Sequence, residues 1–285
     1  MELQESDIMK KIKILFLTIA LLSLLSCSNI LVFGDDKMTN DNWELVWEDD
    51  FNEINTSFWK FEIGNGYPRN PGWGNNELQY YTEDNVYIED GYLVIEARKE
   101  KKYDSFGSYD YTSSRLKTQG KVEIKYGKIE ARAKFPFGKG LWPAIWLLGD
   151  NITYVGWPLC GEIDIVEFLG HDKYSVYGTV HGPGYSGRNG ISRKYTDYDV
   201  NFVDNFHTFG IEWNENQISF FVDGNVYSTI KKEILKKRGL NWVFDNEFFF
   251  IINLAVGGNW PGYPDYRTKF PAKMYVDYIK VWQKK

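Results

Sequence analysis

The chain has 285 residues, 43% of them hydrophobic and 18% aromatic, which is enough for a large core in one large domain or two small ones. Its formal net charge of −6 provides no basic surface of the kind that binds nucleic acid. The aromatic residues suit a β-rich core and a sugar-binding cleft alike, and both interpretations stand.

Residues 1–27 are predicted to be a signal peptide. A basic segment at 9–13 precedes an apolar run at 14–25 that is too short to span a membrane comfortably. The run leads into a Leu-Leu-Ser-Cys sequence ending at Cys27, which is similar to a bacterial lipobox. We therefore expect secretion across a bacterial inner membrane, with lipidated Cys27 anchoring the protein at the cell surface or the periplasmic face. An ordinary secretory signal is the alternative.

Residues 28–42 are the predicted tether, and residues 43–285 form the predicted folded domain. Met9 is a candidate start, because the acidic residues before it are untypical of a signal peptide. Cys160 has no obvious disulfide partner in the mature domain, so we expect a small buried residue rather than a nucleophile.

Short segments rich in β-forming residues and separated by turn signals predict strands from Trp43 onward. Asp90-Gly91 and Asp223-Gly224 are the turn signals of two hairpins. Residues 128–135 alternate between apolar and charged side chains, as in an antiparallel strand with one wet face. The predicted strands are 86–89, 92–97, 128–135, 217–222, 225–230, 248–256 and 274–282, with one short helix at 231–238. This pattern predicts an all-β jelly-roll sandwich of antiparallel sheets.

The stretch 161–170 places three carboxylates, Glu162, Asp164 and Glu167, in an apolar run bounded by glycine, which predicts a buried strand. Side chains alternate along a strand, so Glu162 and Asp164 share a face. Glu167 joins them if a one-residue β-bulge lies near residues 165–166. One charged and one protonated carboxyl, held apart by shifted pKa values, are what retaining glycosidic cleavage requires. A strand whose acids face solvent is the alternative.

This stretch resembles the active-site signature of glycoside hydrolase family 16, in the laminarinase-like form with an extra residue before the second glutamate. The likeness covers the chain from about Trp43 to the end. Its other segments are Trp47–Asn52, Asn76–Thr82, Gly140–Trp146, Phe206–Trp213, Val256–Trp260 and Tyr275–Val281. The resemblance implies a jelly roll with a substrate cleft on its concave face and a reaction that needs no cofactor.

The resemblance also implies the catalytic roles. Glu162 would attack the anomeric carbon as the nucleophile, while Glu167 would protonate the leaving oxygen as the acid/base. Asp164 would hold a hydrogen bond between them and help to divide the protonation states. Glu167 would then activate the water that hydrolyses the glycosyl-enzyme, so the anomeric configuration is retained.

Further positions match sugar-binding residues of the family. Trp142 and Trp146 lie four residues apart in a predicted strand and therefore share a face, with core packing as the alternative. Trp260 lies on a glycine-rich loop, and His181 ends a strand that is expected to face the cleft. The candidate substrate-binding residues are Asn75, Arg115, Trp142, Trp146, His181 and Trp260.

A structural calcium ion is implied by the resemblance alone, on the convex side and away from the acids. The matching ligands are Asp50, Gly91 and Asp277, and oxygen ligands suit calcium. Surface acids without an ion are the alternative.

The extra residue in the signature is similar to endo-1,3-β-glucanases, so we expect a monomeric hydrolase of laminarin-like β-glucans. The same family also contains hydrolases of mixed-linkage glucan, agar and carrageenan. A transglycosylase would keep the same acids. A non-catalytic carbohydrate-binding jelly roll is the alternative from another class, and it would predict a broken acid pair.

Overall fold

The computed structural model describes residues 43–285, so the predicted signal peptide, Cys27 and the tether lie outside the described residues. Strands dominate this part of the chain. The first ten are β1 (Trp43–Asp49), β2 (Lys60–Phe61), β3 (Gln79–Tyr81), β4 (Val86–Glu89), β5 (Tyr92–Ala97), β6 (Lys102–Asp104), β7 (Gly107–Tyr109), β8 (Tyr111–Ser113), β9 (Arg115–Lys117) and β10 (Glu123–Ile124). The next ten are β11 (Gly127–Lys134), β12 (Leu141–Gly149), β13 (Glu162–Glu167), β14 (Ser175–His181), β15 (Ile191–Thr196), β16 (His207–Trp213), β17 (Gln217–Val222), β18 (Asn225–Lys231), β19 (Phe248–Val256) and β20 (Ala272–Lys284).

Helical segments within this range are short and lie between strands. Two are α-helical and three are single turns of 3-10 helix. The α-helices are Ile152–Val155 and Lys232–Lys237, and the 3-10 turns are Pro71–Gly74, Glu83–Asn85 and Gly187–Asn189. Among residues 43–285 no helix is both long enough and apolar enough to cross a membrane.

Two large antiparallel sheets form the domain. One, here called the outer sheet, has the strand order β18-β17-β16-β11-β20-β5-β4, with β1 also paired to β20. The other, here called the cleft sheet, has the order β15-β14-β13-β12-β19-β9-β2, with β10 also paired to β19. Two small sheets, parallel β3-β8 and antiparallel β6-β7, complete the strands. The predicted all-β sandwich of antiparallel sheets is confirmed.

The main core lies between the two large sheets and takes side chains from both. Along β11, Ile129, Ala131 and Ala133 are buried while the charged residues between them are half-buried, which confirms the predicted alternation. Every residue of β19 is buried, because a smaller apolar cluster lies on the cleft side of this strand, opposite the main core. Each fully buried aliphatic or aromatic side chain stabilises the fold by about 1.5–3 kcal/mol.

The two predicted hairpins are confirmed. Their turn residues Asp90, Gly91, Asp223 and Gly224 all have positive φ, between 49° and 80°. Two successive residues of positive φ give the turn that matches the twist of the flanking strands, and glycine takes this conformation without a steric penalty.

Candidate active site

Strand β13 contains the β-bulge that the spacing of its acids predicts. On the β12 side, Asp164 pairs with Trp146 while Val166 pairs with Ile145, so Ile165 is the extra residue. Both Ile165 and Val166 therefore point into the main core, where two adjacent apolar side chains gain burial. The register on the β14 side shifts at the same place. Glu167 consequently returns to the face that Glu162 and Asp164 occupy.

Glu162 lies at the start of β13 beneath an indole ring. The Nε1–H of Trp157 donates a hydrogen bond of 2.8 Å to Oε2 of Glu162, and His181 Nε2 lies 3.5 Å from Oε1. Burial, followed by repulsion from Asp164, raises the pKa of Glu162 to about 8, while His181 and the Trp157 hydrogen bond lower it. Glu162 therefore has two neighbours that favour its charged form.

Asp164 is 4% exposed and lies between the two glutamates along the strand. Its Oδ2 is 3.2 Å from His181 Nε2. Burial raises the pKa of Asp164, and a hydrogen bond with Glu162 acts in the opposite direction. Because the negative charge of Asp164 raises the pKa of both glutamates, this residue couples their protonation states.

Glu167 is held by two neutral donors. The Nε1–H of Trp142 lies 3.2 Å from Oε1 and the hydroxyl of Thr179 lies 3.1 Å from Oε2. Burial raises the pKa of Glu167 well above its usual range, and repulsion from Asp164 and Glu162 adds to this effect. The protonated form is thus favoured at Glu167, as a general acid requires.

Trp146 and Trp142 are both half-buried and lie on the cleft face of β12, so their predicted common face is confirmed. The Nε1–H of Trp146 donates to Asn253 Oδ1 at 2.8 Å. Trp142 meets Trp260 edge to face at 5.6 Å between ring centroids, and Trp260 meets Tyr177 in the same way at 4.8 Å. These three rings form an aromatic wall beside Glu167, with Trp260 still 41% exposed.

Arg115 lies in the cleft sheet, where its side chain is largely buried. Its guanidinium stacks on Trp73 at 4.3 Å and on Trp146 at 4.9 Å, and its Nε donates to Glu62 Oε2 at 2.5 Å. This placement orients two indole rings, and contact with sugar hydroxyls stays a prediction for Arg115.

Asn75 lies on the loop that approaches Trp260. Its backbone carbonyl accepts a hydrogen bond from the Asn259 N–H at 2.8 Å, and its side chain donates to Glu77 at 3.1 Å. The neighbouring Asn76 side chain bonds Asn259 as well, at 2.9 Å. These bonds join two distant loops at the rim of the site.

Several contacting residues were not predicted from the sequence. Tyr177 and Thr179 alternate with His181 on β14, so the strand periodicity that placed His181 toward the cleft could also have identified them. Glu62 and Asn253 were missed because no local pattern links them to the acids. Trp157 lies in the segment before β13, and the structure gives it a contact with Glu162.

Cys160 is fully buried in the smaller apolar cluster, next to Leu148, Phe249 and Ile251. Burial, with a contribution from the charge of Glu162, raises the pKa of its thiol to about 12. The prediction that Cys160 is a small buried residue is confirmed.

The predicted calcium ligands lie on or next to strands of the outer sheet. Strand β1 pairs with β20 as far as Asp49–Ile279, and β5 pairs with it as far as Leu93–Val276. Asp277 therefore lies in β20 between the two pairings, with Asp50 just after β1 and Gly91 just before β5. Two carboxylates and a carbonyl oxygen suit calcium. Arg132 donates to Oδ2 of Asp277 and leaves its other oxygen for a cation. The oxygen donors therefore suit calcium in their chemistry, and the ion itself stays a prediction.

Two buried glutamates on one sheet face, beside indole rings that can stack on sugars, belong to a glycoside hydrolase. A non-catalytic carbohydrate-binding sandwich would lack an intact acid pair, whereas this chain has both Glu162 and Glu167. The family model for glycosyl hydrolases family 16 matches residues 74–280. The chain belongs to this family, as its sequence motifs predict.

Individual relatives agree with this assignment. The chain is 39% identical to a β-glucanase of Rhodothermus marinus, with 97% of each protein covered. It is 44% identical to the clotting factor G alpha subunit of Tachypleus tridentatus, where 85% of this chain matches 34% of that protein. Among solved structures, the catalytic domain of an endo-1,3-β-glucanase (laminarinase) from Thermotoga petrophila has a TM-score of 0.85 and 56% identity. That match covers 86% of this chain and 99% of the solved domain.

Proposed function

We propose that this chain is a retaining endo-β-glucanase that hydrolyses the 1,3-β-glucosidic bonds of laminarin-like polysaccharides. The observation that carries the proposal is the bulge in β13, which brings Glu162 and Glu167 to one face within the aromatic site. The substrate class is supported by the likeness to the Thermotoga petrophila laminarinase domain.

In the first step Glu162 attacks the anomeric carbon while Glu167 protonates the glycosidic oxygen. His181 and the Trp157 N–H favour the charged nucleophile, and burial favours the protonated acid. Forming the glycosyl-enzyme neutralises Glu162, which removes one source of repulsion on Glu167. The pKa of Glu167 then falls to suit its second role, in which it takes a proton from water.

Asp164 links the protonation state of Glu167 to the charge of Glu162. It lies beside Glu162 and raises the pKa values of both residues by repulsion. When Glu162 becomes an ester, Asp164 can take a larger share of the remaining negative charge. We therefore assign to Asp164 the positioning and charge-sharing role that the family signature implies.

A substrate panel tests the proposal most simply. Purified protein is incubated with laminarin, lichenan, agar and carrageenan, and new reducing ends are measured. We expect rapid release from laminarin as a ladder of short oligosaccharides. Preference for agar or carrageenan would assign another substrate within the family, and elongated products from added acceptors would indicate transglycosylation. Glu162→Gln serves as the control that binds glucan without cleaving it.

We also propose that the mature protein is attached to a membrane through lipidated Cys27, which rests on the sequence alone. Metabolic labelling with a fatty-acid analogue should mark the wild type and leave Cys27→Ala unlabelled. Equal labelling of both forms would exclude the lipid, and secretion of an unlabelled wild type would indicate an ordinary signal peptide.

A further inference from the structure

His181 brings an imidazole nitrogen to two carboxylates in the active site. Its Nε2 lies 3.2 Å from Asp164 Oδ2 and 3.5 Å from Glu162 Oε1. These three residues can offer ligand atoms that all lie within 4.8 Å of one another. Within residues 43–285, no other cluster of three such side chains comes this close.

One oxygen of this cluster has no hydrogen-bond partner. Asp164 is 4% exposed, and its Oδ2 forms no hydrogen bond although His181 Nε2 is nearby. A buried carboxylate oxygen without a partner is unfavourable, because nothing compensates for its lost hydration. This oxygen therefore points into the cluster with its lone pairs available to a ligand.

The two distances from His181 to the carboxylates match the spacing of ligands in a tetrahedral metal site. Zinc binds histidine nitrogen and carboxylate oxygen at about 2.0–2.2 Å, so neighbouring ligand atoms in a tetrahedron are about 3.3–3.6 Å apart. The distances from His181 Nε2 to the two carboxylates are 3.2 Å and 3.5 Å. Three protein ligands would leave the fourth position open toward the cleft.

We propose that Glu162, Asp164 and His181 form a binding site for a divalent transition-metal ion such as Zn²⁺, and that the bound ion inhibits the enzyme reversibly. The ion occupies the lone pairs that Glu162 needs for attack, so metal and substrate bind competitively. This proposal has a binding half, which says that the ion binds the cluster, and an inhibitory half, which says that the bound ion blocks hydrolysis. The inhibitory half rests on the proposed function, whereas the binding half does not. Imidazole favours zinc and its neighbours, while Ca²⁺ and Mg²⁺ prefer sites built from oxygen alone.

The surroundings of His181 determine how tightly we expect the metal ion to bind. A methyl group added at Gly190 would lie 2.4–2.6 Å from the imidazole ring, so the glycine lets this ring fit beside the acids. The other ring nitrogen, Nδ1, is buried without a hydrogen-bond partner. Ligand histidines usually donate from this second nitrogen, and losing such support weakens metal binding about 10–100-fold. We therefore expect micromolar rather than tighter affinity.

Calorimetric titration of the tag-free mature protein with ZnCl₂, in a buffer that does not bind metal, tests the binding half. We expect one zinc ion per chain, release by EDTA, and no binding of Ca²⁺ or Mg²⁺ at this site. His181→Asn should bind zinc at least tenfold more weakly. His171→Asn is the matched control, because His171 is exposed and outside the cluster, and it should bind as the wild type does. Unchanged zinc affinity in His181→Asn would overturn the site.

The inhibitory half is read from laminarin hydrolysis at the same zinc concentrations. We expect the apparent KM to rise with zinc and EDTA to restore it. Zinc binding at His181 without loss of hydrolysis would overturn the inhibition and also contradict Glu162 as nucleophile. Normal hydrolysis without any zinc binding would overturn the metal site and leave the proposed function intact. If His181→Asn does not fold, Glu162→Gln provides the same calorimetric test.

Discussion

At the scale of single residues, three similar carboxyl groups differ through their neighbours. Glu162 is beside an imidazole and an indole N–H, while Glu167 has an indole N–H and a hydroxyl. All three acids are buried, so the folded protein favours fewer charges than three free carboxylates would have at neutral pH. The division of roles between the glutamates therefore depends on neighbours that the motif itself does not contain.

The two glutamates should respond differently to an added nucleophile. Glu162→Ala and Glu167→Ala should each lose at least about 100-fold in kcat without unfolding. With an activated glucoside, azide should rescue both variants. It replaces Glu162 by attacking the substrate, which gives the α-azide. In Glu167→Ala it attacks the glycosyl-enzyme, which gives the β-azide.

The anomeric configuration of each azide product is read by NMR, with unchanged circular dichroism as the control for folding. The opposite pairing of products and variants would exchange the two roles. Near-normal activity in either variant would remove the assignment.

Stability should depend on pH in a predictable direction. The pKa of Glu162 is raised from 4.5 to about 8 by burial. The folded protein therefore binds the Glu162 proton more tightly than the unfolded chain does. This preference contributes fully to the free energy of unfolding below about pH 4.5, and the contribution is lost as the pH rises through about 8. Glu162→Gln stays neutral, so its Tm relative to wild type should increase from pH 5 to pH 9, by roughly 2–4 °C for each kcal/mol. A relative Tm that falls over this range would contradict the burial of a charged Glu162.

At the scale of elements, the bulge in β13 determines which acids meet. In a regular strand with the same six residues, the two-residue period would place Glu167 on the core side. The bulge also buries Ile165 and Val166 together, so the apolar core and the acid row favour the same local structure. A functional arrangement is thus supported by ordinary hydrophobic packing.

Deleting Ile165 tests this coupling. The shortened stretch Glu-Ile-Asp-Val-Glu alternates regularly, so all three acids should stay on one face without a bulge. We therefore expect a folded variant that still hydrolyses laminarin, with a lower kcat because the carboxyl groups shift along the strand. Ile165→Val is the matched control, since it keeps the residue count and should cost about 0.5–1.5 kcal/mol in stability with activity retained. A folded deletion variant without detectable hydrolysis would show that a common face is not sufficient for the acids.

The strands whose bounds the sequence predicted correctly have a clear local pattern of apolar residues and turns. Strands β4, β5, β17 and β19 have the predicted bounds, because alternation or an apolar run coincides with clear turns. Strand β15 was missed because it is an edge strand with the mixed sequence Ile-Ser-Arg-Lys-Tyr-Thr. The Arg115–Glu62 ion pair joins residues 53 positions apart, so no local pattern could reveal it.

At the scale of the whole molecule, the two large sheets have different roles. The cleft sheet holds the acids and the aromatic wall, whereas the outer sheet holds the predicted calcium ligands across the core. A substitution in the outer sheet should therefore change the Tm more than it changes kcat.

The proposed calcium site gives this division a test. Adding CaCl₂ should raise the Tm of the wild type relative to EDTA, because an ion that binds only the folded state stabilises it. At 100 times its Kd the gain would be about 2.7 kcal/mol. Asp50→Asn should lose most of this gain and keep its kcat at low temperature. An identical Tm with calcium and with EDTA in the wild type would exclude a structural calcium ion.

We propose that Glu162 and Glu167 act from one sheet face to cleave a β-1,3-glucosidic bond with retention. Time-resolved proton NMR of laminarin hydrolysis measures the configuration of the first reducing ends directly. We expect the β-anomer to appear first and the α-anomer to grow only through later mutarotation. Initial appearance of the α-anomer would contradict retention by this pair of glutamates.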